Sequence, residues 1–168
     1  MTRNATDNRQ LLVEHITEKQ ADHYRLAFSY VKNREAALDV VQESVVKALT
    51  KIDQLREPAF LKTWFYRILV NESMNYHRKN RGLVPLDDVL WDQESPEPDR
   101  DRRLDLYDAI DRLSLPEQTV IRLRFFEDLK LEEIAQITGT NLNTVKSRLY
   151  KTLKKLKDMT GEEIEDGP

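Results

Sequence analysis

A chain of 168 residues, 39% apolar and 34% charged, has enough material for two small helical units but not for one thick core. The absence of Cys excludes disulfides and thiolate metal sites, and only 4 Gly with little β-branched alternation argue against a sheet protein. A net charge of -3 does not by itself point to nucleic acid, so any such reading has to come from the local distribution of charge.

The opening MTRNATDNRQ carries no apolar run of signal-peptide length. No segment approaches the ~18 consecutive apolar residues of a membrane span, so a cytoplasmic location is expected. Leu12, Ile16, Leu26, Ala27 and Val31 predict a first helix over 11–31 with a modest apolar stripe. Asn33 suits a helix boundary, ending one helix and capping the next. Leu38, Val41, Val45, Leu49 and Ile52 recur at steps of three and four and predict the apolar face of a second helix over 34–52. Opposite that stripe, Asp39, Gln42 and Glu43 group into an acidic and amide face that suits a basic protein partner.

Pro58 fits the first turn of a third helix, expected from about Ala59 to Arg81 and ended by Gly82. Phe65, Ile68, Leu69 and Tyr76 are its expected core face. Trp64, Arg67, Asn71, Asn75 and Arg78 share the other face, with Lys79 and Arg81 following. An aromatic ring with amides and cations suits unstacked nucleic acid, in which each base stacked on a ring contributes roughly 1–3 kcal/mol. A core tryptophan is the competing reading of Trp64.

Composition shifts after Gly82. The stretch 83–102 holds three prolines and many acids around a few apolar anchors, Leu86, Val89, Leu90 and Trp91, and reads as a linker. The chain therefore divides into a first unit over 8–82 and a second over 103–160. In the second, a helix carrying Leu106, Ile110 and Leu113 precedes a Ser114–Pro116 break. A helix over 116–126 follows, with Val120, Leu123 and Phe126 inward, then a short helix over 131–138. Gly139 and Thr140 turn the chain, and Asn141 caps a final helix from Leu142 to about Lys157. The tail GEEIEDGP is acidic.

A short helix, a Gly-containing turn and a longer basic helix make the helix-turn-helix pattern. Ile134, Ala135, Val145 and Leu149 form its expected shared core, with Ala135 small where the helices approach. Asn143, Thr144, Lys146, Ser147, Arg148 and Lys151 project from the front half of the second helix, the part that enters a major groove. Lys and Arg there can donate to guanine O6 and N7. Lys154 and Lys155 lie farther along and suit phosphates.

With these motifs in order, the chain resembles the extracytoplasmic-function class of the sigma-70 family. FSYVKNREAALDVVQESVVKAL resembles the family's polymerase-docking helix pair, FLKTWFYRILVNESMNYHRKNRG its strand-opening segment, and LPEQTVIRLRFFEDLKLEEIAQITGTNLNTVKSRLYKTLKKL its C-terminal domain. The resemblance implies an all-α protein of two helical domains joined by a flexible linker. It implies docking of Asp39, Gln42 and Glu43 on the clamp helices of the largest polymerase subunit. It also implies contact with the flap of the second-largest subunit, and a linker threaded toward the RNA exit path. The loop Leu55 to Leu61, with Phe60, would capture a flipped base of the non-template strand at the minus-ten element, with Asn71 beneath it. The C-terminal domain would read the minus-thirty-five element as duplex. Many members are held inactive by an anti-sigma factor, often membrane-bound. No cofactor is implied.

Lys130 stands where the family usually has Ser or Thr, which weakens that helix cap. Asn141 and Asn143 replace the commoner Ser and Gly around the turn, which bears on the promoter sequence read. The resemblance to the small class implies a protein without the long N-terminal autoinhibitory region of primary sigma factors and, between Gly82 and Arg103, without their middle domain. The rival reading is a dimeric helix-turn-helix regulator binding an operator without polymerase. It leaves the third helix unexplained. His15, His23 and His77 have no metal-ligand spacing, and no phosphate loop or nucleophile motif appears, so an enzyme is not expected.

Overall fold

The computed structural model describes residues 2–80, 104–162 and 164, and among them every regular element is helical. They fall into two compact units divided after Val89. The linker expected over 83–102, with its apolar anchors, lies outside the described residues, as does most of the acidic tail.

The first unit contains α1 (Thr2–Glu18), α2 (Gln20–Val31), α3 (Arg34–Lys51) and α4 (Leu61–Asn80). The single helix expected over 11–31 is longer and bent. The hydrogen-bond ladder runs through the bend, Lys19 N to His15 O at 3.0 Å and His23 N to Lys19 O at 2.9 Å, while Lys19 itself leaves helical geometry. Asn33 caps α3 as expected, its side chain accepting from Ala36 N at 3.0 Å.

The packing of α3 departs from the expected stripe. Its buried face is Ala36, Ala37, Val40, Ser44 and Ala48, followed by Ile52 just past the helix. Leu38 is 49% exposed, and Val41, Val45 and Leu49 are half-buried. Small residues let α2 and α4 approach α3 closely, and the larger apolar side chains are turned to its flank. In α4 the core residues are Phe65, Tyr66, Leu69, Val70, Ser73 and Met74. Phe65 and Leu69 are as expected, but Ile68 and Tyr76 are only half-buried. An ion pair between Lys47 and Glu72 ties α3 to α4.

At the α1–α2 bend, the His15 and His23 rings lie 5.1 Å apart at a tilt of 50°, and His23 also packs on Phe65 at 4.7 Å and edge-on to Tyr66 at 5.5 Å. Neither ring nitrogen of His23 has a hydrogen-bond partner. Burial is the main cause that pushes its pKa down to about 4; His15 and Lys19 lower it further and Asp22 opposes. His15 is lowered too, by burial, Lys19 and Lys62, against Glu18. The folded state therefore disfavours protonation of both rings, which take up protons more readily when unfolded. The stabilisation is complete above the ordinary histidine value of 6.5 and falls as pH drops toward about 4. We expect His23 to cost the first unit roughly 2 kcal/mol between neutral pH and about pH 5. Thermal melting at the two pH values checks this, and His23→Phe removes most of the difference.

The second unit contains α5 (Leu106–Asp111), α6 (Leu115–Ile121), α7 (Leu131–Thr138) and α8 (Leu142–Thr160). Arg122–Phe126 continues α6 as a π-helical turn, from which Leu129 N reaches Leu123 O at 3.0 Å. Val120 and Leu123 are buried as expected, but Phe126 is 46% exposed, because the wider π turn rotates it outward against Tyr107 at a centroid distance of 6.1 Å. Arg122 is fully buried, donating to Gln118 Oε1 and to Asp111 Oδ1, the latter at 3.1 Å. Gln118 Nε2 in turn donates to the carbonyls of Leu113 at 2.8 Å and Asp111 at 3.2 Å, so one polar network fastens α5 to α6.

No helix among the described residues is long and apolar enough to cross a membrane, and none of their His, Asp or Glu groupings could hold a metal ion.

Candidate nucleic-acid interface

Two surfaces of the first unit, on α3 and α4, and one of the second, on α8, carry the side chains singled out from the sequence. On the first unit, α3 ends in a 3-10 turn at Ile52–Gln54, and a second 3-10 turn at Pro58–Phe60 leads into α4. Between buried Leu55 and buried Leu61 the run Arg56, Glu57, Pro58, Ala59 and Phe60 is exposed. Phe60 N donates to Glu57 O at 3.0 Å, and Phe60 O accepts from Thr63 Oγ1 at 3.1 Å. The run is therefore short and held at its C-terminal end, while its side chains remain open.

Steps of three and four carry the open face of α4 onward from Phe60. Arg67 and Lys79 are exposed; Trp64, Asn71 and Asn75 are half-buried. Trp64 is thus not a core residue, since the core side is filled by Phe65, Tyr66 and Leu69. Arg78 does not join this face. It is only 4% exposed, and burial lowers its pKa. A cation at a step of three from Asn75 was expected to share its side, but this guanidinium is taken out of water. On α3, Asp39, Gln42 and Glu43 are all exposed, with Leu38 and Val46 exposed among them. The surface thus combines carboxylates, an amide and large apolar side chains. The sequence pattern missed its apolar part by assigning Leu38 to the core.

On the second unit, Ile134, Val145 and Leu149 are fully buried between α7 and α8, and Ala135 is half-buried beside them. Gly139 takes φ 69°, the left-handed conformation that a β-carbon disfavours, and its neighbour Thr140 N closes the turn on Ala135 O at 3.1 Å. Lys130 caps α7 only from one side: Glu133 Oε1 accepts from Lys130 N at 3.0 Å, and no hydroxyl answers it. Asn141 Oδ1 accepts from Thr144 N at 2.8 Å and starts α8. Loss of this cap in Asn141→Ala should cost about 1 kcal/mol, read as faster amide exchange in the first turn of α8.

Asn143, Lys146, Ser147, Lys151 and Lys154 are exposed on α8; Thr144 and Arg148 are half-buried on its flank. Tyr150, 62% exposed, stands in the middle of this face. Lys155 is a correction. Its Nζ lies 2.9 Å from Glu117 Oε2, with side chains 17% and 6% exposed, so it binds α8 to α6 and does not face a phosphate. The same Glu117 accepts from Ser114 N at 3.1 Å and Ser114 Oγ at 2.8 Å, so one carboxylate caps α6 and holds α8.

Comparison with known proteins agrees with both halves. The profile for sigma-70 region 2 matches residues 16–82, and that for sigma-70 region 4 matches residues 103–156. The chain is 49% identical over 156 residues to the RNA polymerase sigma factor SigV of Bacillus subtilis, an alignment covering 92% of this chain and 94% of that protein. It is 30% identical over 178 residues to the ECF RNA polymerase sigma-E factor of Haemophilus influenzae, covering 90% and 93%.

The chain belongs to the sigma-70 family, in its extracytoplasmic-function class. Among solved structures, this sigma factor resembles RpoE from Bartonella quintana in complex with the anti-sigma factor NepR, at a TM-score of 0.65 and 26% identity over 87% of this chain and 94% of that one. CnrH in complex with the cytosolic domain of CnrY shares the fold, at a TM-score of 0.67 and 19% identity over 93% and 91%.

Proposed function

We propose that this sigma factor binds RNA polymerase core and directs it to promoters, reading the minus-thirty-five element as duplex and the minus-ten element as an opened single strand. The observation that carries the reading is two dissimilar nucleic-acid faces in one chain. The α8 face is basic and presented by a capped helix-turn-helix, which suits a major groove. The α4 face is a ring with amides beside an exposed loop, which suits unstacked bases. In this reading Asn143, Thr144, Lys146, Ser147, Arg148, Tyr150 and Lys151 meet base edges and nearby phosphates, and Lys154 meets a phosphate. Phe60, Trp64, Arg67, Asn71, Asn75 and Lys79 receive the minus-ten strand.

Asp39, Gln42 and Glu43, with Leu38 and Val46, form the dock for the clamp helices of the largest polymerase subunit. The exposed Tyr107–Phe126 pair offers the second unit an apolar contact for the flap of the second-largest. The 16–82 and 103–156 segments act as separate domains on the two promoter elements. No reaction is assigned to the chain, because polymerase supplies the chemistry, and its place of work is the cytoplasm. An anti-sigma factor that covers the docking face would hold it inactive.

Run-off transcription from a randomised promoter library tests the reading. Purified core with this chain should enrich templates with two sequence blocks at promoter spacing. Enrichment by the chain alone of a single palindromic block, with no gain from core, would overturn it.

A further inference from the structure

The loop proposed to capture a flipped base is anchored at both ends, and its upstream anchor comes from a distant part of the chain. Leu55 follows a 3-10 turn and has extended geometry, so its carbonyl has no place in a helical ladder. The group that satisfies it is Asn8 of α1, whose Nδ2 donates to Leu55 O at 3.1 Å across 47 residues of sequence. Asn8 is 4% exposed and Leu55 is 7% exposed, so the bond is shielded from competing water. Only the Nδ2 end of this amide is bonded, its Oδ1 being buried without a partner, and a Leu at this position would in turn leave the Leu55 carbonyl unpaired. In a helix otherwise docked by apolar and aromatic contacts, this amide places a directional bond where the loop begins. The downstream end is fixed by Thr63 on Phe60 O.

We propose that Asn8 is a positioning residue for promoter opening: it holds the start of the 56–60 loop in the conformation that receives the flipped base. This rests on the minus-ten reading of that loop. The assignment extends the strand-reading machinery into α1, which touches no nucleic acid in the proposed arrangement.

The test is a double-mutant cycle between Asn8→Leu and removal of a base from the minus-ten strand, using the full chain with polymerase core. Abasic sites are placed at each position of the minus-ten element, and the position at which the wild type loses most is used. Asn8→Leu should lower open-complex formation on the intact promoter by about fivefold to tenfold, the scale of one buried hydrogen bond. On the abasic promoter the same substitution should cost less than about twofold, because there is no base left to receive. Core binding, read by gel filtration, should be unchanged.

An equal loss on both promoters, or a loss of core binding, makes Asn8 merely structural and overturns the proposal. If no abasic position costs the wild type anything, the capture reading itself fails and takes the proposal with it. Should Asn8→Leu fail to fold, Asn8→Ser, too short to reach Leu55 O, enters the same cycle with the same criteria.

Discussion

Reversing Lys146 and Lys151 to glutamate should lower transcription from a cognate promoter at least about a hundredfold while leaving polymerase binding intact. Both side chains are exposed on the front of α8, and Lys146 lies beside the capped first turn that enters the groove. Each loses a contact to a base edge, worth roughly 1–3 kcal/mol, or to a phosphate, and each adds repulsion from the duplex. Two such losses together exceed the roughly 2.8 kcal/mol that a hundredfold represents. Abortive initiation at several salt concentrations gives the measurement. The variant should show a shallower salt dependence than the wild type, since fewer counterions are released. Activity within threefold of wild type would remove α8 from the promoter.

Glu117→Ala should be the most damaging single change in the second unit. The carboxylate is nearly buried, and it performs two tasks: it completes the Ser114 cap of α6 and pairs with Lys155 of α8. Removing it leaves the Lys155 ammonium largely buried without that counter-charge, which typically costs about 3–5 kcal/mol. Amide exchange in α6 and α8 should accelerate by two orders of magnitude or more. Glu117→Gln keeps an acceptor for Ser114 and should fall between. Adding Lys155→Met to Glu117→Gln should restore most of the loss, because a buried pair replaced by well-packed neutral groups is close to neutral. If Glu117→Ala costs less than about 1 kcal/mol, the pair contributes nothing to seating the recognition helix.

The sequence made the helical order, the two units and the helix-turn-helix legible for a physical reason: each is written in local chemistry. Asn33 and Asn141 cap where they were expected to, and Gly139 has the positive φ that the turn needs. What depended on distant partners was not legible. On α3, two stripes of equal period run side by side, offset by one residue. Periodicity selected the larger side chains, Leu38, Val41, Val45 and Leu49, whereas close helix packing selected Ala37, Val40, Ser44 and Ala48.

The same limit explains the errors in the site. Lys155 reads as one more cation in a basic run until Glu117, far away in sequence, is folded against it. Arg78 fits the period of the open face of α4 yet is buried. Phe126 fits an α-helical period that the π turn breaks. Asn8 had no local signal at all, since its only meaning is a carbonyl across the unit.

A sigma factor of this build acts as a polymerase subunit, and in the proposed reading it docks through the exposed face of α3. Gel filtration with sigma-free bacterial polymerase core tests it most directly, with Asp39→Arg, Glu43→Arg run beside the wild type. Both residues are exposed, so the double variant should fold normally. The wild type should co-elute with core and the variant should not. If neither binds core while the wild type alone grips duplex DNA with a steep salt dependence, the chain is a free-standing DNA binder and not a polymerase subunit.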